Sequence, residues 1–232
     1  MAQSSNVPVI TIDGPSGTGK GTISQLVADH LGWHLLDSGA LYRVVAIGIQ
    51  HKGILSNKIN EICDFALAMT VTFSSEFKGS VTLDGEEISA QVRLEQTAEA
   101  ASQVAAIPEL RQVLLQRQID FRQPPGLVAD GRDMGTVVFP TAGLKIYLTA
   151  SPEERAHRRY NQLINKGVSV NLRALLQDIA SRDERDANRA VSPLRPAQDA
   201  LVIDTTSLSI DEVFEKVFAE AGKRFPETNA QA

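Results

Sequence analysis

The chain has 232 residues but only one cysteine, one tryptophan and 5% aromatic residues, and it has no apolar run of membrane-spanning length. A single thiol, Cys63, excludes an intrachain disulfide and a thiolate zinc cluster. It lies in the apolar stretch from Ile62 to Leu67 and reads as a small buried hydrophobe rather than a nucleophile. His30, His34, His51 and His157 are too scattered for a metal site, and Trp33 reads as packing. With 16 glycines and 10 prolines the composition is neither fibrous nor disordered. Basic residues are not in excess: 23 Lys and Arg stand against 28 Asp and Glu, a net charge of −5, which argues against a general nucleic-acid binder. Met1–Asn6 lacks a basic segment followed by an apolar one, so no signal peptide is expected and a soluble cytoplasmic protein is the simplest reading.

What is present is an ordinary globular composition, 43% apolar and 22% charged, long enough for one large domain or one core with an insertion. Five short apolar runs read as strands: Val9–Ile12, His34–Asp37, Leu127–Asp130, Lys145–Leu148 and Leu201–Asp204. Helical spacing of Ile23, Leu26, Val27 and Leu31 predicts a helix from Lys20, and helix-like segments lie between most of the strands. This is the pattern of a five-stranded parallel sheet with helices on both faces. Between about residues 40 and 123 the pattern changes. Val71–Phe73, Val81–Leu83 and Glu86–Ile88 alternate, and Asp84–Gly85 is a hairpin signal, so a small antiparallel sheet is expected within about 69–92. The tail from Phe225 to Ala232 is expected to fray.

Gly14-Pro15-Ser16-Gly17-Thr18-Gly19-Lys20-Gly21-Thr22 follows the first strand and opens the helix. Glycines let backbone N–H groups turn inward around phosphate oxygens, and the helix N-terminus adds positive potential. Lys20 can reach the β- and γ-phosphates and the Thr22 hydroxyl can ligate Mg²⁺. The usual pattern has Ser or Thr directly after the lysine, whereas here Gly21 intervenes. This is a nucleoside-triphosphate loop of a P-loop NTPase core.

One phosphate loop does not separate a kinase from a GTPase or a motor; the discriminator is a second set of cations for an acceptor. From Arg155 to Arg195, nine Lys and Arg, eight of them Arg, face four Asp and Glu. Planar bidentate donors suit phosphate. Ser38 and Arg43 follow the second strand and could hold one phosphate, although Ser38 alone also fits a plain helix N-cap. Asp130-Gly131-Arg132-Asp133 ends the third strand and fits either a ligand approach or a surface turn. Arg182, Asp186 and Arg189 share one face of a helix at i, i+4 and i+7, where a salt bridge on a solvated face is the plainer alternative. Arg155, Arg158 and Arg159 cluster just after the fourth strand.

The segments Ile12–Thr22, Leu36–Arg43, Ala101–Ala105, Asp130–Pro140 and Arg182–Asp186 together resemble the bacterial cytidylate kinase family over nearly the whole chain. The Asp130–Thr136 segment is the most specific of them. The resemblance implies phosphoryl transfer from ATP with Mg²⁺ to CMP or dCMP. It divides the chain into a core of residues 7–39 and 124–225, with a lid at about 153–168, and an acceptor-binding region of residues 40–123. It places Ser38, Arg43, Arg132 and Arg189 around the acceptor phosphate, Arg182 and Asp186 near the ribose, and Ser102, Arg111 and Asp133 toward the cytosine. Lys20, Arg132 and Arg189 are the expected catalytic groups, Gly14–Thr22 with Arg158 and Arg159 the expected ATP contacts, and Thr22 the expected metal ligand. A monomer with no membrane or nucleic-acid partner is expected. A kinase of another small acceptor, such as a different nucleoside monophosphate or shikimate, an ATP-sensing regulatory module and an RNA-associated protein are the competing readings.

Overall fold

The computed structural model describes residues 7–74 and 80–226, and the N-terminal Met1–Asn6 and the tail beyond Pro226 lie outside them. The chain divides into two compact units, one formed by residues up to Asp37 and from Ile119 onward, the other by Ser38–Gln118.

The first unit is built on a five-stranded parallel sheet. Its strands, β1 (Val9–Asp13), β2 (His34–Asp37), β6 (Leu127–Gly131), β7 (Leu144–Thr149) and β8 (Leu201–Asp204), lie in the order β2-β6-β1-β7-β8. Each agrees with its expected run to within a residue or two. Every residue of β1 and β6 is buried, so both faces of the sheet centre are covered, which is why these strands read as unbroken apolar runs. The parallel register pairs Val9 with Leu127 and Asp13 with Gly131 on one side of β1, and Ile12 with Ile146 on the other. Helix α1 (Lys20–Leu31) spans the expected residues and buries Ile23 and Val27. It ends at Gly32, whose φ of 63° closes the helix in the left-handed region. Helix α9 (Ile210–Arg224) starts at a capping box made by Ser209 and Glu212 and adds Val213, Val217 and Ala221 to the same apolar cluster. Trp33 is buried there, edge-on to Phe225 at 5.3 Å. Phe225 is thus anchored rather than frayed; the rest of the expected frayed tail, from residue 227, lies outside the described residues.

The second unit contains α2 (Ser38–His51), α3 (Ile59–Ala68), a three-stranded antiparallel sheet, α4 (Ser89–Val92), α5 (Glu95–Val104) and nearly all of α6 (Pro108–Ile119). The sheet strands are β3 (Val71–Ser74), β4 (Ser80–Leu83) and β5 (Glu86–Glu87), in sequence order. Asp84 and Gly85 both have positive φ, 51° and 88°, as the hairpin signal requires. The last strand is one residue shorter than expected: Ile88, 1% exposed, turns into the core and caps α4 instead. Gly48 lets α2 and α3 close, since a Cβ there would come within 2.0 Å of the Phe65 ring. Cys63 packs, half-buried, against this core, as its apolar surroundings indicated.

Candidate active site

The loop after β1 is shaped by its glycines and tied from outside. Gly17 and Gly19 have φ of 85° and 87°, and a Cβ on Gly14 would sit 2.1 Å from the Leu148 carbonyl oxygen. Arg155, on α7 (Pro152–Ile164), donates from Nη1 to the Ser16 carbonyl at 3.1 Å and from Nε to the Ala150 carbonyl at 3.1 Å. Its guanidinium is also bidentate on Asp183 of α8 (Leu172–Ala187), at 3.0 and 2.5 Å. Thr205 Oγ1 donates to the Thr18 carbonyl at 3.1 Å, and Thr205 in turn accepts from both Nη atoms of Arg158. Loop carbonyls held outward in this way suit a nest whose amides converge on an anion.

Lys20 opens α1, with Nζ 3.8 Å from Asp130 Oδ1. Burial, and then the nearby charge of Arg132, pushes its ammonium down to about 8, against the pull of Asp130 and Asp37. Gly21 lies where a Cβ would be 3.3 Å from Asp130 Oδ2, a tight approach to the carboxylate beside the lysine. Thr22 is exposed in the first turn of α1.

At the end of β6 the structure excludes one of the two alternatives left open by the sequence. Asp130 and Asp133 are 5% and 3% exposed, so this is no surface turn. Asp133 precedes a π-helical turn, Met134–Val138, that the sequence did not indicate, and its side chain makes no capping bond there. The caps come from Asp13 at the end of β1, whose carboxylate accepts the Met134 and Gly135 amides at 2.9 and 2.8 Å. Arg132 Nε donates to Asp186 Oδ2 at 2.9 Å, and Arg189 Nη2 donates to Asp186 Oδ1. Asp186 is 3% exposed, so the constellation is not a solvated face. Burial works against its ionisation, but Arg132 and Arg189 outweigh that and hold the carboxyl below the usual carboxylate range. Burial likewise opposes the charge on Arg132, and Asp186 more than restores it. One expectation is corrected: α8 ends at Ala187, so Arg189 lies beyond the Asn188 cap and reaches back to Asp186 across i, i+3.

The first unit therefore brings together Gly14–Thr22, Arg132, Asp133, Asp186 and Arg189 along the carboxyl ends of β1 and β6, where open α/β sheets bind ligands. Arg182 adds its charge to both Lys20 and Asp186. Arg158 also donates to Glu154 at 2.9 Å, and Arg159 donates to Gln162 at 3.1 Å. In the second unit, Ser38 is 4% exposed and is the first residue of α2 itself. Arg43 donates to the Val92 carbonyl at 2.9 Å. Ser102 is 7% exposed on α5. The Arg111 guanidinium donates to the Ala105 carbonyl at 3.1 Å and lies 5.5 Å over the Tyr42 ring. The structural work of Asp13, Asp183 and Thr205 was not legible in the sequence; an aspartate closing a largely apolar strand just before Gly14 was the available signal.

A glycine loop between a central parallel strand and a helix, with a partly buried lysine and a neighbouring arginine–aspartate constellation, defines a phosphate-loop nucleotide-binding protein. The family model described as cytidylate kinase matches residues 10–223. Cytidylate kinases of Marinomonas sp. and Shewanella denitrificans are each 56% identical, over 93% and 92% of this chain and 96% of their own lengths. That of Aeromonas hydrophila is 55% identical over 92% of this chain and 94% of its own. The chain belongs to the cytidylate kinase family.

Proposed function

We propose that this protein transfers the γ-phosphoryl group of MgATP to CMP or dCMP, giving ADP and CDP or dCDP, as a monomeric enzyme of the cytoplasm. The observation that carries the reading, beside family membership, is the Arg132–Asp186–Arg189 constellation next to the phosphate loop: a second concentration of cationic donors beyond Lys20. Among the described residues no helix is long and apolar enough to cross a membrane.

In this reading the amides of Gly14–Gly21 and the Lys20 ammonium hold the ATP phosphates, and Arg158 and Arg159, within the lid at about 153–168, reach the nucleotide when the lid closes. Ser38, Arg43, Arg132 and Arg189 hold the acceptor phosphate, with Arg182 and Asp186 toward the ribose. The donor set fits Mg²⁺ carried by nucleotide phosphates: Thr22 is an exposed hydroxyl in the first turn of α1, and no cluster of three His, Cys, Asp or Glu among the described residues forms a cage of its own. When bound, the ion neutralises charge on the transferring phosphoryl group. The acceptor phosphate is already an anion near neutral pH, so no general base is needed. Catalysis then comes from positioning, and from Lys20, Arg132 and Arg189 stabilising charge. Asp133 accepts from the cytosine amino group while Arg111 and Ser102 meet its ring acceptors; uracil would set a carbonyl against the carboxylate.

The test is ADP formation with MgATP and, in turn, CMP, dCMP, UMP, AMP, GMP and shikimate. Fast turnover confined to CMP and dCMP is expected. Turnover with a different acceptor overturns the base assignment, and tight ATP binding without turnover of any acceptor overturns the kinase reading.

A further inference from the structure

One buried carboxylate has no role in that reaction. Asp13 ends the central strand and is 4% exposed, and its two oxygens take the first two amides of the turn Met134–Val138, bonds that a residue at the N-cap would normally make. The turn is packed at Gly135 and the chain is held again just beyond its end. A Cβ on Gly135 would fall 2.8 Å from Thr11 Oγ1 and 3.2 Å from Lys145 Cδ. At the far end Lys145 Nζ donates to the Pro140 carbonyl at 2.6 Å and to Asp199 at 2.9 Å. Arg132 and Asp133 are the two residues that lead into this turn.

The geometry points to Asp13 as a positioning residue for base selection: by holding two amides at once, its carboxylate anion sets where Asp133 and Arg132 stand. This rests on the reading of Asp133 as the cytosine acceptor. Only the anion offers both oxygens as strong acceptors, whereas a protonated carboxyl leaves one N–H facing a weakly accepting hydroxyl oxygen and an asparagine sets a donor against it. The charged groups facing Asp13 are Asp130 from β6, Arg132 and Asp133 from the segment entering the turn, and Tyr147 from β7. Burial first, and then Asp133 and Asp130, raise its carboxyl to about 7 against the two amide bonds that lower it. Protonation of Asp13 therefore weakens one of the two bonds, and the hold on the turn falls as pH drops through its titration.

Two measurements test this. In the ligand-free wild type, the Met134 and Gly135 amide NMR resonances are expected to titrate together with a midpoint near 7. In Asp13→Asn that titration is expected to vanish. The same variant is expected to lower the CMP-to-UMP ratio of kcat/KM roughly tenfold, mostly through a higher KM for CMP. Using the ratio removes the titrations of the acceptor phosphate and of Lys20, which both substrates share. Met134 and Gly135 amide resonances that follow no common titration at any pH where the wild type stays folded overturn the proposal, and this arm needs no folded variant. A folded Asp13→Asn protein with an unchanged ratio overturns it as well. Wild-type inactivity toward CMP would instead overturn the kinase reading, leaving the amide titration to decide the role of Asp13.

Discussion

Asp186→Asn strips the shared counter-charge from Arg132 and Arg189 while conserving side-chain volume. The side chains of Asp186, Arg189 and Arg132 are 4%, 5% and 18% exposed, so water can replace little of what is lost. Removing one partner of a buried ion pair costs about 3–5 kcal/mol. The partial exposure of Arg132 and the one carbonyl acceptor that asparagine keeps place the expected loss at the lower end, about 3 kcal/mol, or roughly a hundredfold in the folding equilibrium. Urea unfolding followed by fluorescence of Trp33, the sole tryptophan and a residue of the same unit, reads this directly. With m-values of about 1–3 kcal/mol/M, the midpoint should fall by about 1–3 M. The pH dependence follows with a definite sign. Because the folded-state pKa of Asp186 is depressed, its contribution is full above the ordinary carboxylate range and is lost as pH falls through the folded value, so the variant should be less acid-sensitive than the wild type. Inorganic phosphate should stabilise the variant more than the wild type, since the two guanidiniums then lack their protein counter-charge and attract an anion more strongly. A midpoint shift equivalent to less than about 0.5 kcal/mol would show that the two arginines do not depend on Asp186, and the buried constellation would lose its meaning.

Lys20→Met should lower turnover by about 10²–10³-fold, the usual loss for one preorganised donor at a developing charge. In the wild type, kcat/KM for ATP should fall as pH rises through about 8, where the free enzyme loses the Lys20 ammonium. At saturating ATP this limb should move to higher pH, because bound phosphates favour the charged lysine; a limb at the same pH in both regimes would contradict that assignment. Arg155→Met should raise the KM for ATP and lower thermal stability together, since the Ser16 carbonyl and Asp183 both lose their partner. If only the KM moves, Arg155 acts on nucleotide rather than on the loop.

The parts of the molecule visible in the sequence were those with local signatures. Strands buried on both faces appear as apolar runs, α1 as a 3.6-residue period, and the hairpin as Asp84–Gly85. The phosphate loop is equally local, because its glycines and Lys20 act within nine residues. What stayed hidden was tertiary. The carboxylate of Asp13 caps a turn at Met134, so no spacing rule could join them. The arginine cluster on α7 read as a single group, yet Arg155 and Arg158 brace the loop carbonyls directly and through Thr205, and Arg159 bonds within its own helix. Arg189 fitted a helical face by number, but the helix stops before it.

The sheet order also governs how the chain assembles during synthesis. The first two strands, β1 and β2, have no neighbour in each other; β1 pairs only with β6 and β7, and β2 only with β6. Until Leu127–Gly131 leaves the ribosome, neither can join a sheet, although both strands are made long before it. The unit from Ser38 to Gln118 is one unbroken stretch and meets no such delay. Folding on the ribosome should therefore start in the middle of the chain, with the phosphate loop among the last features to form. A nascent chain stalled so that Gln118 has just cleared the ribosome and Leu127–Gly131 has not should show water-exposed Trp33 fluorescence beside an already folded middle unit, whereas a buried Trp33 at that length would reverse the order.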